Sequence, residues 1–313
     1  MEENSKISLD NDISKLIKNF KKTFEKKETN IILEERALIC SNLAVLYWKK
    51  ENLEDAQKFF LEAIQEYGKL KDEFKLASTK GALGSLYIQK GKFELAKIYT
   101  EEAHEYWTNS MHLNERLACL QNLGIISLRL KEEVKASDYV LEAMKMAMQL
   151  QDEDQFAQSI HILLNYYENI KRYDMLLELK KKALEFWTQM NLGERQFKTL
   201  IDLGVLSQVL EGFDDAVKYF KKAFNIGYNS GSIEKMYLAE GFLAESFLNK
   251  KDIEKAKYTY LQAFKLAIFL NLDGKHQNDV NLMRIALLSL GYTTEDLIKE
   301  AEDALKEAKK ENK

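Results

Sequence analysis

The chain has 313 residues, 46% of them hydrophobic and 31% charged, and it contains no proline. Its 46 basic and 50 acidic residues leave a formal net charge of −4 and are interspersed along the chain. No basic stripe able to neutralise a row of phosphates is present, so nucleic acid is not an expected partner. No apolar run approaches the ~20 residues of a membrane span, and the opening MEENSKISLDND lacks the apolar core of a secretory signal.

Taken in order, residues 1–9 are polar and read as a disordered tail. Residues 10–30 carry Ile13, Leu16, Ile17, Phe20 and Phe24 at helical spacing, which predicts a capping helix. Residues 31–270 hold six copies of one 40-residue pattern. A small slot falls at Ala63, Ala103, Ala143, Ala183, Ala223 and Ala263. Seven residues earlier come Ala56, Ala96, Ala136, Leu176, Ala216 and Ala256; earlier still come Ala44, Gly84, Gly124, Leu164, Gly204 and Ala244. Polar stretches such as Lys71-Asp72-Glu73 and Asn229-Ser230-Gly231-Ser232 separate the copies. Moving back one period from the first copy puts Leu16 and Thr23 on two of these slots, so the capping helix reads as half a repeat. Residues 271–313 form a degenerate seventh pair and a C-terminal capping helix. Leu287 and Gly291 keep the register there, Thr293 or Thr294 supplies the cap, and Leu297, Ile298, Ala301, Leu305 and Ala308 form the inner stripe.

The recurring small residues have a steric meaning. Two antiparallel helices joined by a tight turn approach closely only where side chains are small, while leucine and aromatics fill the wider gaps. One such pair cannot bury its own apolar faces, so neighbouring pairs stack. The predicted fold is all-α: a right-handed α-solenoid of about six helical hairpins with capping helices at both ends. Trp107, Trp187 and Tyr67 occupy equivalent places late in second helices and read as buried aromatics between adjacent units.

Leu83-Gly84 with Tyr87, Ala56 with Phe60, and Ala216 with Phe220 resemble the tetratricopeptide repeat. The longer unit, and Asn42-Leu43-Ala44-Val45-Leu46-Tyr47 in particular, is similar to kinesin light chains and Pins-type adaptors. The resemblance implies a concave groove lined by first helices. It also implies that an asparagine two residues before the third slot holds the backbone of an extended peptide, since an amide donates and accepts at once. Asn42 and Asn122 match, with Gln121 beside the latter; Asp202 departs, and Ala82, Ile162 and Phe242 break the ladder. The clamp for chaperone tails is absent, because its positions hold Ser41, Val45 and Ala82.

Two further groove features are expected. Trp48 with Val45 forms an apolar anchor for a ligand side chain, or else Trp48 packs on the N-terminal cap. Repeat four, whose slots hold Leu164 and Leu176, offers Gln158, His161, Asn165, Glu168 and Asn169 as a polar specificity pocket, or has simply drifted. Arg129, Lys198 and Gln208 stand on the walls of that pocket.

His104, His112, His161 and His276 lack metal-ligand spacing, and no phosphate loop or nucleophile elbow appears. No catalytic residue, cofactor or metal is expected. Cys40 and Cys119, almost two repeats apart, read as apolar fillers in a reducing cytoplasm. The expected function is a non-enzymatic cytoplasmic scaffold binding another protein's extended peptide or helix in the groove. The alternatives are a receptor whose groove takes a short signalling peptide or small ligand and changes curvature, and a structural subunit. The expected state is a monomer, or a weak homo-oligomer joined through its end helices.

Overall fold

The protein is described by a computed structural model covering the backbone of residues 2–311. All regular structure among the described residues is helical, and the chain divides into two compact units, Met1–Tyr166 and Tyr167–Lys313. The first unit contains α1 (Glu2–Thr23), α2 (Asn30–Lys49), α3 (Leu53–Leu70), α4 (Glu73–Gln89), α5 (Phe93–Thr108), α6 (Leu113–Arg129) and α7 (Glu133–Leu150). The division falls inside α8 (Glu153–Asn169). The second unit continues with α9 (Tyr173–Gln189), α10 (Gly193–Val209), α11 (Phe213–Asn229), α12 (Ile233–Asn249) and α13 (Ile253–Leu270). A 3-10 turn, Asn271–Asp273, leads to α14 (Gln277–Ser289) and α15 (Thr294–Glu311). Within each unit, most helices consecutive in sequence pack on one another, as in an α-solenoid, and α15 packs on α13.

The pitch of 40 residues is a doubled pitch of 20. Helices α4 to α13 begin at 73, 93, 113, 133, 153, 173, 193, 213, 233 and 253. One backbone device sets this rhythm: a single residue with positive φ ends most of the helices. Glu51, Lys71, Gly91, Lys131, Gln151, Lys171, Asn191, Glu211, Gly231 and Lys251 all adopt it. The next amide then turns back onto a carbonyl of the helix just finished, as in Lys92 N to Tyr87 O at 2.9 Å and Glu132 N to Ser127 O at 2.8 Å. This arrangement satisfies carbonyls that the helix end would otherwise orphan. Asn52, Asp72, Ser232 and Asp252 then cap the following helices by accepting a backbone N–H.

The small slots lie between the helices of each hairpin. Ala56, Ala63, Ala96, Ala103, Ala136, Ala143, Ala216 and Ala223 are all fully buried. The glycines are more constrained still. A Cβ on Gly84 would lie 2.3 Å from Thr100 Oγ1, one on Gly124 2.6 Å from Val140 Cγ2, and one on Gly204 2.3 Å from Phe220 Cε1. Each of these partners stands 16 residues after its glycine in the repeat register. Between adjacent hairpins the packing is aromatic where the chain offers it, and Tyr67, Trp107 and Trp187 are buried as expected.

Helix α1 docks on α2 through a buried arginine. Arg36 donates to Thr23 Oγ1 at 3.3 Å and to the Thr23 carbonyl at 3.4 Å, lies 4.1 Å from the centre of the Phe24 ring, and pairs with Glu66 at 3.7 Å. Thr23 is fully buried, in keeping with its place on an alanine slot. The expected tail differs in that α1 starts at Glu2: residues 2–9 contain no glycine or proline to stop a helix, and two glutamates open its first turn. Met1 lies outside the described residues.

At the other end, Thr293 is the cap of α15, accepting from Asp296 N at 3.1 Å while Asp296 accepts from Thr293 N at 3.0 Å. The inner stripe of α15 is narrower than expected. Leu297 and Ala304 are buried, but Ile298 and Leu305 are exposed, because each sits one residue, and so about 100° around the helix, past a buried position. The side chain of Ala308 lies outside the described residues.

Two outcomes check this account. Gly204→Leu should destabilise the protein by about 3 kcal/mol, with partial recovery in the double variant that also carries Phe220→Ala; matching urea midpoints for wild type and Gly204→Leu would remove the close-packing argument. Lys131→Gly, at a positive-φ helix end, should stabilise by up to ~1 kcal/mol, while Gly91→Ala should cost about as much; thermal melts of both variants read the two signs.

Candidate functional site

The first helices carry the sequence-predicted groove residues, and several of their polar groups already have partners. In the first unit Asn122 Nδ2 donates to Ser85 Oγ at 2.9 Å, joining α6 to α4. Gln121 Nε2 donates to Ser159 Oγ at 3.0 Å and to Gln155 Oε1 at 3.1 Å, joining α6 to α8. In the second unit Gln208 Nε2 donates to Ser246 Oγ at 2.8 Å, joining α10 to α12, and Tyr237 Oη donates to Asp279 at 3.2 Å, joining α12 to α14. Asp202 accepts from Lys180 of α9 at 2.6 Å. Of the two amides that the resemblance assigns to a peptide backbone, Asn122 thus bridges one first helix to the next, as Gln121 and Gln208 also do. A ligand would have to displace these bonds or bind beside them.

Trp48 and Val45 have different surroundings. Trp48 Nε1 donates to Gln89 of α4, and its ring meets Phe60 edge-on with centroids 6.0 Å apart. The tryptophan therefore contacts α3 of its own hairpin and α4 of the next. Val45, 41% exposed, lies with Asn42 and Leu46 along a cleft of about 390 Å³ between α2 and α1, whose side is formed by Asp12, Lys15, Leu16 and Asn19. Asn42 is exposed there.

The residues of the expected polar pocket belong to both units. In the first, Gln158, His161 and Asn165 are exposed on α8, with Asn165 Nδ2 2.9 Å from His161 Nε2, and Arg129 is exposed at the end of α6. In the second, Glu168, Asn169 and Lys198 are exposed. Leu176 is buried, so the bulky residue in that slot is accommodated in the core of the second unit.

The second unit has a cleft that the sequence alone does not mark. Tyr237, Leu238, Gly241, Phe242 and Glu245 of α12, Tyr260 of α13 and Met283 of α14 enclose about 230 Å³. Phe242 stacks on Phe220 with ring centroids 5.3 Å apart and an interplanar angle of 12°. The Tyr237 hydroxyl is pushed up to about 12 by burial and by the Asp279 carboxylate, so it remains a hydrogen-bond donor at neutral pH. Phe242 occupies the same register as Asn42 and Asn122, so the signal that could have found this cleft was a groove position turned aromatic.

Among the described residues no group of histidine, cysteine, aspartate and glutamate is placed to hold a metal ion, and no helix is long and apolar enough to cross a membrane. Cys40 and Cys119 are free and buried, and burial pushes both thiols well above their usual range.

The tetratricopeptide repeat family model matches residues 37–69 and 77–106, which fall on α2–α3 and α4–α5. Tetratricopeptide repeat protein 29 of Trypanosoma brucei brucei is 26% identical over 137 residues, 44% of this chain. The chain spans only 28% of that relative. Among solved structures, the apo form of RapI superposes with a TM-score of 0.52 at 16% identity, covering 94% of this chain and 80% of that one. BtubC (BKLC) from P. vanneervenii superposes with a TM-score of 0.50 at 20% identity, covering 71% of this chain and 92% of that one. These superpositions concern the fold. Helical hairpins on a fixed pitch, small residues at each hairpin's closest approach and the family match together mark residues 37–106 as tetratricopeptide repeats, and the later hairpins keep the same pitch.

Proposed function

We propose that the protein is a non-enzymatic scaffold that binds an extended segment of another protein along its first-helix face. The observation that carries this reading is the α12–α14 cleft, an aromatic and aliphatic recess with Glu245 at its edge. Such a recess suits an apolar side chain of a peptide, and Glu245 favours a basic neighbour to it. The α1–α2 cleft, with Val45 and Leu46 beside Asn42 and Lys15, offers a second recess of the same general kind in the other unit. The bridging amides of Gln121, Asn122 and Gln208 support a rigid platform around these recesses, and rigidity lowers the entropic cost of holding a flexible segment.

The free, buried cysteines agree with a reducing compartment, and we place the protein in the cytoplasm. The same recesses suit a short signalling peptide. A ligand-dependent change in radius of gyration would mark that receptor reading, and a constant one the static scaffold.

Selection from a random-peptide library on the immobilised protein tests the proposal. Selected peptides should bind Phe242→Glu at least about tenfold more weakly than wild type, as for loss of an anchor pocket. Binding should be weakened in the same direction, for a different set of peptides, by Val45→Glu. Undiminished affinity for the doubly substituted protein would overturn the groove reading.

A further inference from the structure

Glu240 is a charged residue at a mostly apolar position. Equivalent places in other repeats hold Cys40, Leu120, Ile160 and Leu200, all buried in the core, and Lys80, whose charge is paired with Glu102 at 2.6 Å. Glu240 on α12 has no hydrogen-bond or ion-pair partner among the described residues. It opens into a cleft of about 410 Å³ bounded by α11 and α13, a different cleft from the one at Phe242. Behind it lie the buried Leu243 and Phe247, and at the mouth stands Tyr258, 66% exposed.

The charged groups facing Glu240 come from two helices. Lys221 of α11 favours its ionised form but makes no ion pair with it. From α13, Lys255 is held by Asp252 at 2.5 Å with its ammonium 5.7 Å from the Phe247 ring centre, and Glu254 adds a second negative charge. Desolvation dominates the balance and pushes the Glu240 carboxyl up to about 7. A half-buried carboxylate with no partner is costly, and a cation entering from outside would relieve that cost. A bare metal ion is a poor fit, because hard cations require several oxygen ligands and no such group exists among the described residues. An ammonium needs only one carboxylate, and its organic stem would cover the apolar wall.

We propose that this cleft binds an organic amine, with its ammonium on Glu240 and its apolar stem along Leu243, Phe247 and Tyr258. The cleft volume is that of a small-molecule site. The Tyr258 ring, little covered in the free protein, is the wall that bound ligand would bury.

The test uses the full chain and phenylbutylamine as the probe, with phenylbutyrate as its anionic counterpart, in calorimetric titrations at about pH 8. The amine should bind saturably and the anion should not. Glu240→Gln should weaken the amine by at least about tenfold. Binding to wild type should also weaken at about pH 6, where the carboxyl takes up a proton while the amine keeps its charge. Equal amine affinity for wild type and Glu240→Gln, or no amine binding to either, would overturn the proposal.

Glu240→Leu supplies a check that does not depend on the probe. The raised carboxyl binds its proton in the folded state when the unfolded chain has already released it, so stability falls as pH rises from the unfolded value toward about 7. The leucine variant should therefore gain more in melting temperature at about pH 8 than at about pH 4. An equal gain at both would show a solvated carboxylate and would remove the premise.

Discussion

The distance between the two helices of a hairpin is the constraint from which the rest of this structure follows. It is set by a pair of residues. Glycine in the first helix faces Thr100, Val140 or Phe220 in the second, so close that a single added carbon would overlap. In the first repeat Ala44 occupies the slot, and Phe60 stands at the partner position in the same core cluster. The first-helix side is therefore always small where the second-helix side is apolar. Repeat four reverses the pattern in sequence, with Leu164 in the slot and Lys180 at the partner position. Lys180 places its charge on Asp202, outside the hairpin core of its unit. A fixed spacing limits the summed volume at each closest approach, and the repeats meet that limit in different ways.

This constraint explains which features were legible in the sequence. The period, the alanine and glycine slots and the buried Trp107 and Trp187 are local steric requirements. Each recurs at a fixed place in the pitch and can be counted. The helix ends were less legible, because most positive-φ positions hold lysine, glutamate, glutamine or asparagine where glycine would have signalled the turn. The roles of the polar groove residues were not legible at all. Asn122 and Ser85 are 37 residues apart, as neighbouring first helices require, and nothing in either residue alone says whether an amide turns to its neighbour or to a ligand. Trp48 differs from Val45 in its surroundings for the same reason, since Gln89, 41 residues on, accepts from the indole N–H.

Lateral ion pairs show the same dependence on neighbours. Lys90 reaches Glu54 at 2.8 Å, Lys75 reaches Glu34 at 3.0 Å, and Lys235 reaches Glu194 at 2.6 Å, each spanning about one repeat. Their acidic partners are largely exposed, so each contributes little to stability. Together they account for the mixed charge of the surface: the interspersed lysines and glutamates include successive hairpins' complementary rims as well as solvated faces.

The positions that depart from the repeat are where binding chemistry collects. A strict solenoid would present the same shallow face at every unit. Gly227 stands where other repeats hold the bulky Tyr67, Trp107 and Trp187 or the small Ala147 and Ala267, and a Cβ there would lie 2.9 Å from the Met236 backbone nitrogen. The end of α11 consequently meets the start of α12 with almost nothing between them. The same helical pair carries Lys221 and Glu240 toward the cleft beneath α13, while Phe242, two residues further along α12, points to the other cleft. One helix thus serves two recesses of different chemistry, one aromatic and one centred on an unpaired carboxylate. Neither needs a change in the backbone pitch, because a single side chain altered on a rigid, repeated frame is enough to open a recess or to charge it.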